Sequence, residues 1–284
     1  MKALMKALKS STRTAKFGMV IILLWIFCAI FASVISPYGP NEVDIMQRMK
    51  PPAWMNGGSD AHLLGTDEMG RDVLSRLIYG CQISLLVGMM SVVVSMVIGT
   101  TLGLLAGFFG GKVDSIIMRA CDVMLAFPFI FMALCFMAVL GSGLNNVIIV
   151  LGITGWTSYA RTIRSQTLSI KEREFVRAAN TIGDKKSRIL FHHILPNVVD
   201  QAIVLGTLEM GTSILSEASL TFLGMGVPAT IPTWGNMIAT GRQYIYTAWW
   251  LTTFPGIMIF LVCLSINFVG DWIRDARDPR LRGA

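Results

Sequence analysis

The sequence predicts an all-α polytopic membrane protein with six transmembrane helices and both termini in the cytoplasm. Three observations carry that expectation. Of 284 residues, 54% are apolar and 14% are charged, against about 25% charged in a soluble domain, and mean hydropathy is +0.62. The charges are bunched, leaving uncharged runs longer than the roughly 20 residues that cross a hydrocarbon layer. Lysine and arginine also alternate in density between successive connections, nineteen of the twenty-four falling on one side of the expected topology. That asymmetry marks cytoplasmic loops.

The elements follow in chain order. Residues 1–16 hold Lys2, Lys6, Lys9, Arg13 and Lys16 and read as a cytoplasmic N-terminus. The uncharged run from Phe17 to Asn41 is longer than a secretory core and lacks its small-residue exit, so residues 17–36 are expected to be a first, uncleaved span. Residues 37–80 read as an extracytoplasmic segment, with Pro37, Pro40, Pro51, Pro52, Gly57 and Gly58 marking turns. Residues 81–272 read as a five-helix core and 273–284 as a cytoplasmic tail. Within the core, Leu77–Gly111 is uncharged and carries Gly99, Gly103, Gly107 and Gly111. That four-residue spacing puts small residues on one face for close helix approach in lipid. Val123–Ala160 is broken by the glycines and asparagines at 141–146 into two spans, and the last two spans read as 198–226 and 248–270. Pro128 and Pro255 are expected to kink their helices. Arg119 and Asp122, three apart, are expected to pair with each other.

The cytoplasmic loop 161–197 is the most charged connection. Phe175, Ala179 and Ile182 fall at i, i+4 and i+7, the spacing of an apolar helical stripe. Gly183 suits a sharp turn at a helix end, Asp184 suits the cap of a second helix, and Pro196 suits the first turn of the following span. The expected shape is two short helices at an angle, offering a small-residue apolar surface to a partner; a loop lying on anionic lipid is the competing reading.

From Glu174 to Asn197 the chain resembles the cytoplasmic "EAA" loop of binding-protein-dependent ABC importer permeases. Ala178, Ala179, Gly183, Leu195 and Pro196 carry the likeness, while Arg177 stands where that motif has glutamate, with an acid at Glu174 instead, and His193 where it has isoleucine. The stretches at 62–80, 216–237 and 274–282 resemble the C-type permease subunits of dipeptide, oligopeptide and nickel importers, so the likeness runs through most of the chain. The resemblance implies a bacterial inner-membrane subunit. Its implied partners are a second homologous permease, two ATPases that bind ATP and magnesium, an extracytoplasmic solute-binding protein and a peptide substrate. It also implies that Glu174, Arg177, Ala178, Ala179, Gly183, Leu195 and Pro196 couple the membrane helices to an ATPase. Nickel, glutathione or a metallophore is the alternative cargo.

Catalytic chemistry is not expected, nor is a cofactor, a metal or nucleic acid. The glycines of Gly65–Asp72 have the spacing of a phosphate loop, but Arg71 and Asp72 replace the lysine and hydroxyl it requires. Cys28, Cys81, Cys121, Cys135 and Cys263 are scattered through apolar runs and read as small hydrophobes. His192 and His193 read as interface residues, and His62 has no evident partner. Glu209 lies near mid-bilayer, where a charge costs on the order of 3 kcal/mol unless it meets a partner or water. Gly206, Glu209, Ser213 and Glu217 share one helical sector and are expected to face the translocation path or a sister subunit. A self-sufficient secondary transporter is the alternative of another class; the clear internal repeat that marks many such proteins is missing.

Overall fold

A computed structural model of the chain describes residues 12–277. Lys2, Lys6, Lys9, Arg280 and Arg282 of the expected cytoplasmic set, and the end of the 274–282 stretch, lie outside the described residues. The architecture is all-α: α1 (Arg13–Ile30), α2 (Val73–Phe109), α3 (Gly111–Ala126), α4 (Phe129–Leu140), α5 (Leu144–Lys171), α6 (Glu174–Thr181), α7 (Leu195–Phe222), α8 (Trp234–Gly241) and α9 (Trp250–Arg277), with shorter turns between them.

Among the described residues, four helices are long and apolar enough to cross a membrane: α1, α2, α9 and a continuous helix from Lys186 to Phe222 that contains α7. Counting α3 and α4 as one bent span raises the number to five, so length and composition alone do not reach the expected six. α5, which covers one of the expected spans, is not among those helices. It is 28 residues long, with Thr154, Trp156, Thr157, Tyr159 and Thr167 among its buried residues. A helix covered by its neighbours need not be apolar all round, and α5 hides polar side chains that a lipid-facing helix could not.

Boundaries move for local reasons. Thr12 caps α1, its hydroxyl accepting from Ala15 N at 3.3 Å. Asp72 caps α2, with Oδ2 accepting from Ser75 N at 2.8 Å, so the irregular segment ends at 72 and residues 73–80 are already helical. At 37 residues and 1.5 Å per residue, α2 is about 55 Å long and overshoots the bilayer. α5 runs to Lys171, eleven residues past the end of the uncharged stretch, because its charges have partners. Arg164 forms an ion pair with Asp114 of α3, and Arg161 Nη2 lies 2.5 Å from Asp122 Oδ1. The expected Arg119–Asp122 pair is thus replaced by a pair between helices. Nor does the tail begin at 273, since α9 continues to Arg277.

The pairing of α2 with α5 is the most extensive in the molecule. A Cβ on Gly103 would stand 2.6 Å from Ala160 O, one on Gly107 would stand 2.7 Å from Thr167 Cβ, and one on Gly99 would collide with Trp156 O. Ser95 Oγ donates to Gly152 O across the contact at 2.9 Å. Gly111, the fourth glycine of the series, does something else: with Gly110 it takes positive φ, 54° and 64°, where α2 ends and α3 turns away. Pro128 sits between α3 and α4, which meet at 96°, and Pro255 lies inside α9.

Residues 37–72 have almost no regular structure but many fixed contacts. His62, which lacks an evident partner in the sequence, is buried with Nδ1 3.0 Å from Asp72 Oδ1 and its ring stacked on Tyr38. Asp67 Oδ2 is 2.7 Å from Arg71 Nε and 3.4 Å from Arg76 Nη1. The glycines that imitate a phosphate loop, Gly65 and Gly70, have φ of 82° and 76° and let the chain cross itself, against Lys50 and Asp44 respectively. Trp250 Nε1 donates to Thr66 O at 3.3 Å, tying the segment to the start of α9.

Candidate coupling loop and intramembrane cavity

The 172–197 region forms one short helix followed by the opening turns of a long one. In α6, Val176 and Ala179 are buried while Glu174, Phe175, Arg177, Ala178 and Ile182 point outward. The expected stripe of Phe175, Ala179 and Ile182 is therefore divided. Ala179 faces the core, and Phe175 and Ile182 are 42% and 84% exposed. Gly183, at φ 89° with nothing near its Cβ position, reverses the chain. Its freedom is conformational, since L residues rarely adopt this region.

The second short helix is not separate. Lys186–Arg188 passes through a π-helical turn, Ile189–Ile194, directly into α7. Pro196 has no N–H and its ring crowds the carbonyl four residues back. A widened turn just before it accommodates both, and Asn197 Nδ2 donates to His193 O at 2.7 Å. Pro196 is in the first turn of α7 as expected, with Leu195 half-buried beside it. Asp184 does not cap: Lys185 is the N-cap, without a side-chain bond, and Asp184 lies 3.6 Å from both Arg188 Nη1 and His193 Nε2.

What holds this block is apolar. Val176, Ala179, Ile189, Leu190, Ile194 and Val198 form one buried cluster with Leu104, Tyr159 and Ile163 of α2 and α5. Lys171 Nζ adds a 2.8 Å bond to Phe108 O at the end of α2. Displacement of the block therefore bears directly on three long helices.

Deeper in the molecule, α2, α5, α7 and the α3–α4 elbow enclose a cavity of about 370 Å³. Glu209 and Ser213 line it, and Thr212 Oγ1 donates to Glu209 Oε2 at 3.0 Å. The other two members of the predicted stripe are elsewhere. Gly206 is buried against Val92 and the Tyr159 hydroxyl. Glu217 is fully buried and accepts from Thr221 Oγ1 at 2.9 Å. Sequence reasoning missed Tyr159, Thr154 and Ser158 on this cavity; their signal was the cluster of hydroxyls in an otherwise apolar stretch of α5. Among the described residues, no three His, Cys, Asp or Glu side chains are arranged to hold a metal ion.

Comparison with known proteins gives the lineage of this arrangement. Residues 10–52 match the N-terminal TM domain of oligopeptide transport permease C. The di/tripeptide transport system permease protein DppC of Pseudomonas aeruginosa is 44% identical, over 94% of this chain and 88% of its own. The glutathione transport system permease protein GsiD of Pectobacterium atrosepticum is 41% identical, over 92% and 85% respectively. A solved chain of the MetNI methionine ABC transporter, in an inward-facing conformation, shares the fold with a TM-score of 0.59 at 19% identity, over 72% of this chain and 98% of that one. Residues 99–283 match the model of the binding-protein-dependent transport system inner membrane component, and the chain belongs to that family.

Proposed function

We propose that this chain, an inner-membrane permease component, pairs with a second permease to import di- and oligopeptides by alternating access. Two cytoplasmic ATPases supply the energy and an extracytoplasmic binding protein delivers the cargo. The peptide permease among its relatives supports this cargo. Glutathione, itself a tripeptide, is the second reading, favoured by the likeness to GsiD. In this reading α5 is a span, which with the bent α3–α4 pair makes six and leaves both termini on the lysine-rich cytoplasmic side. Reporter fusions at residues 142 and 183 should then report opposite sides of the membrane.

Coupling is assigned to α6 and the turn after it. The observation that carries this is that adjacent faces of the eight-residue helix and its C-terminal cap meet different surroundings. Val176 and Ala179 are locked into the helix core, while Phe175 and Ile182 are left uncovered. A rigid block with an apolar outer face transmits the closure of a docked ATPase to the spans behind it. Glu174, Arg177, Ala178 and Gly183 shape that outer face, and Leu195 and Pro196 connect it to α7. The carboxylate of Glu209 and the Ser213 hydroxyl then belong to the translocation path, with Gly206 and Glu217 as its sealed ends.

Replacement Ile182→Asp tests the coupling. Uptake by the assembled transporter should fall at least about tenfold, because a charge placed in an apolar contact costs well over 1.4 kcal/mol, while the permease pair still assembles. Uptake at the unmodified rate would remove α6 from the coupling path.

A further inference from the structure

We propose that Glu209 and Tyr159 form a subsite for the cationic amino terminus of a peptide in transit, an inference that rests on the peptide-import reading above. The cavity has the size of a small-ligand pocket. Among its lining residues Glu209 is the one that carries a formal charge. A mid-membrane carboxylate without a basic neighbour is expensive to keep, and in a low-dielectric cavity its attraction for a passing cation is correspondingly strong.

Tyr159 supplies an independent observation. Its side chain is 0% exposed to solvent, it borders the cavity, and its hydroxyl has no hydrogen-bond partner. Buried phenols normally have one. Gly206, one turn before Glu209 on α7, leaves this hydroxyl room: a Cβ there would stand 3.4 Å from it. Tyr159 of α5 and Glu209 of α7 thus border the same space, the phenol oxygen itself lying buried in the wall beside Gly206.

The chemistry selects an ammonium group. An ammonium has three donors and no acceptor, matching the Glu209 carboxylate, the Tyr159 oxygen and the nearby Ser213 hydroxyl. A carboxylate or phosphate would be repelled, and an uncharged solute would leave Glu209 unmatched. Across the cavity the wall changes character, to Met124, Met132, Phe127 and Phe129 of the α3–α4 elbow. Thioether side chains adapt to varied shapes. One wall therefore holds the constant end of a peptide while the other tolerates variable side chains, as a carrier of many sequences requires.

The test uses the complete transporter, with its sister permease, ATPases and binding protein, reconstituted in vesicles and supplied with radiolabelled dialanine. Glu209→Gln should lower uptake about tenfold or more, the size of one charge-assisted hydrogen bond, while ATP hydrolysis stimulated by the loaded binding protein persists. Glu209→Asp should restore most of the uptake, and Tyr159→Phe should lower it about threefold. Dialanine uptake by Glu209→Gln within twofold of the unmodified transporter would overturn the subsite and leave peptide import standing. Equal loss in Glu209→Gln and Glu209→Asp, with hydrolysis lost as well, would make the residue structural and likewise overturn it. An unmodified transporter that takes up no dialanine would overturn the peptide reading and the subsite together.

Discussion

The segments 37–72 and 172–194 both connect long helices, and both are rich in charge and carry positive-φ glycine. Their interiors are opposite. In the first, His62, Asp67, Arg71 and Asp72 are buried and paired, Asp67 with Arg76 of α2 as well, and Gly58, Gly65 and Gly70 are pressed against backbone. In the second, Glu172, Arg173, Glu174, Arg177, Lys185, Lys186 and Arg188 are exposed, and buried aliphatic side chains do the holding. Charge in a loop therefore does not state its role. The 37–72 segment uses the charges near its C-terminal end to hold its own fold, whereas 172–194 leaves its charged surface available.

Substitutions can break or sharpen this contrast. The largest effect is expected from Asp67→Ala, which strands the buried Arg76 guanidinium and leaves Arg71 with Glu68 alone. Removing one partner of such a buried pair costs about 3–5 kcal/mol, to be read as lost thermal stability of the detergent-solubilised protein. Gly70→Ala should follow at about 2–3 kcal/mol in the same assay, because the new methyl meets Asp44 O and the backbone stays at positive φ. Gly183→Ala carries the φ penalty alone, about 1 kcal/mol, since nothing lies near its Cβ position. Ile182→Asp should change stability by no more than about 0.5 kcal/mol, as surface substitutions do, while abolishing coupled uptake. If Gly70→Ala and Gly183→Ala prove equally damaging, crowding is not what separates the two segments. A large stability loss in Ile182→Asp would mean its face is covered within this chain.

Much of the fold was legible. The long helices α1, α2, α5 and α9 fall on an uncharged run or at its edge, because burial in lipid is a property of local composition, while α7 carries Asp200, Glu209 and Glu217. The glycine series predicted a close helix contact, and three of its members make one with α5. The loop's turn at Gly183 and the place of Pro196 were legible for the same reason: both follow from one residue's backbone chemistry. Boundaries were less so. α5 extends past Ala160 because Arg161 and Arg164 meet Asp122 and Asp114, partners 39 and 50 residues away that no local pattern reveals.

The candidate site divides along the same line. Gly206, Glu209, Ser213 and Glu217 do share one sector of α7, as helical periodicity requires. What they meet changes with depth: Val92 and Tyr159 beside Gly206, open cavity beside Glu209 and Ser213, and Thr221 beside Glu217. Angular position follows from spacing, but depth and neighbours depend on which helices cross there.

By itself the sequence determined where the chain is apolar, which faces its helices share, where it can turn and that it is a permease component, because these depend on residues close along the chain or on shared ancestry. Tertiary structure alone decided that His62 pairs with Asp72, that Asp122 meets Arg161, that Ala179 turns inward while Phe175 and Ile182 do not, and that Glu209 and Tyr159 open on one cavity. The physical reason is that hydropathy and helical phase are carried by the single chain segment, whereas the partner of a charge or hydroxyl is set by which other segment approaches it.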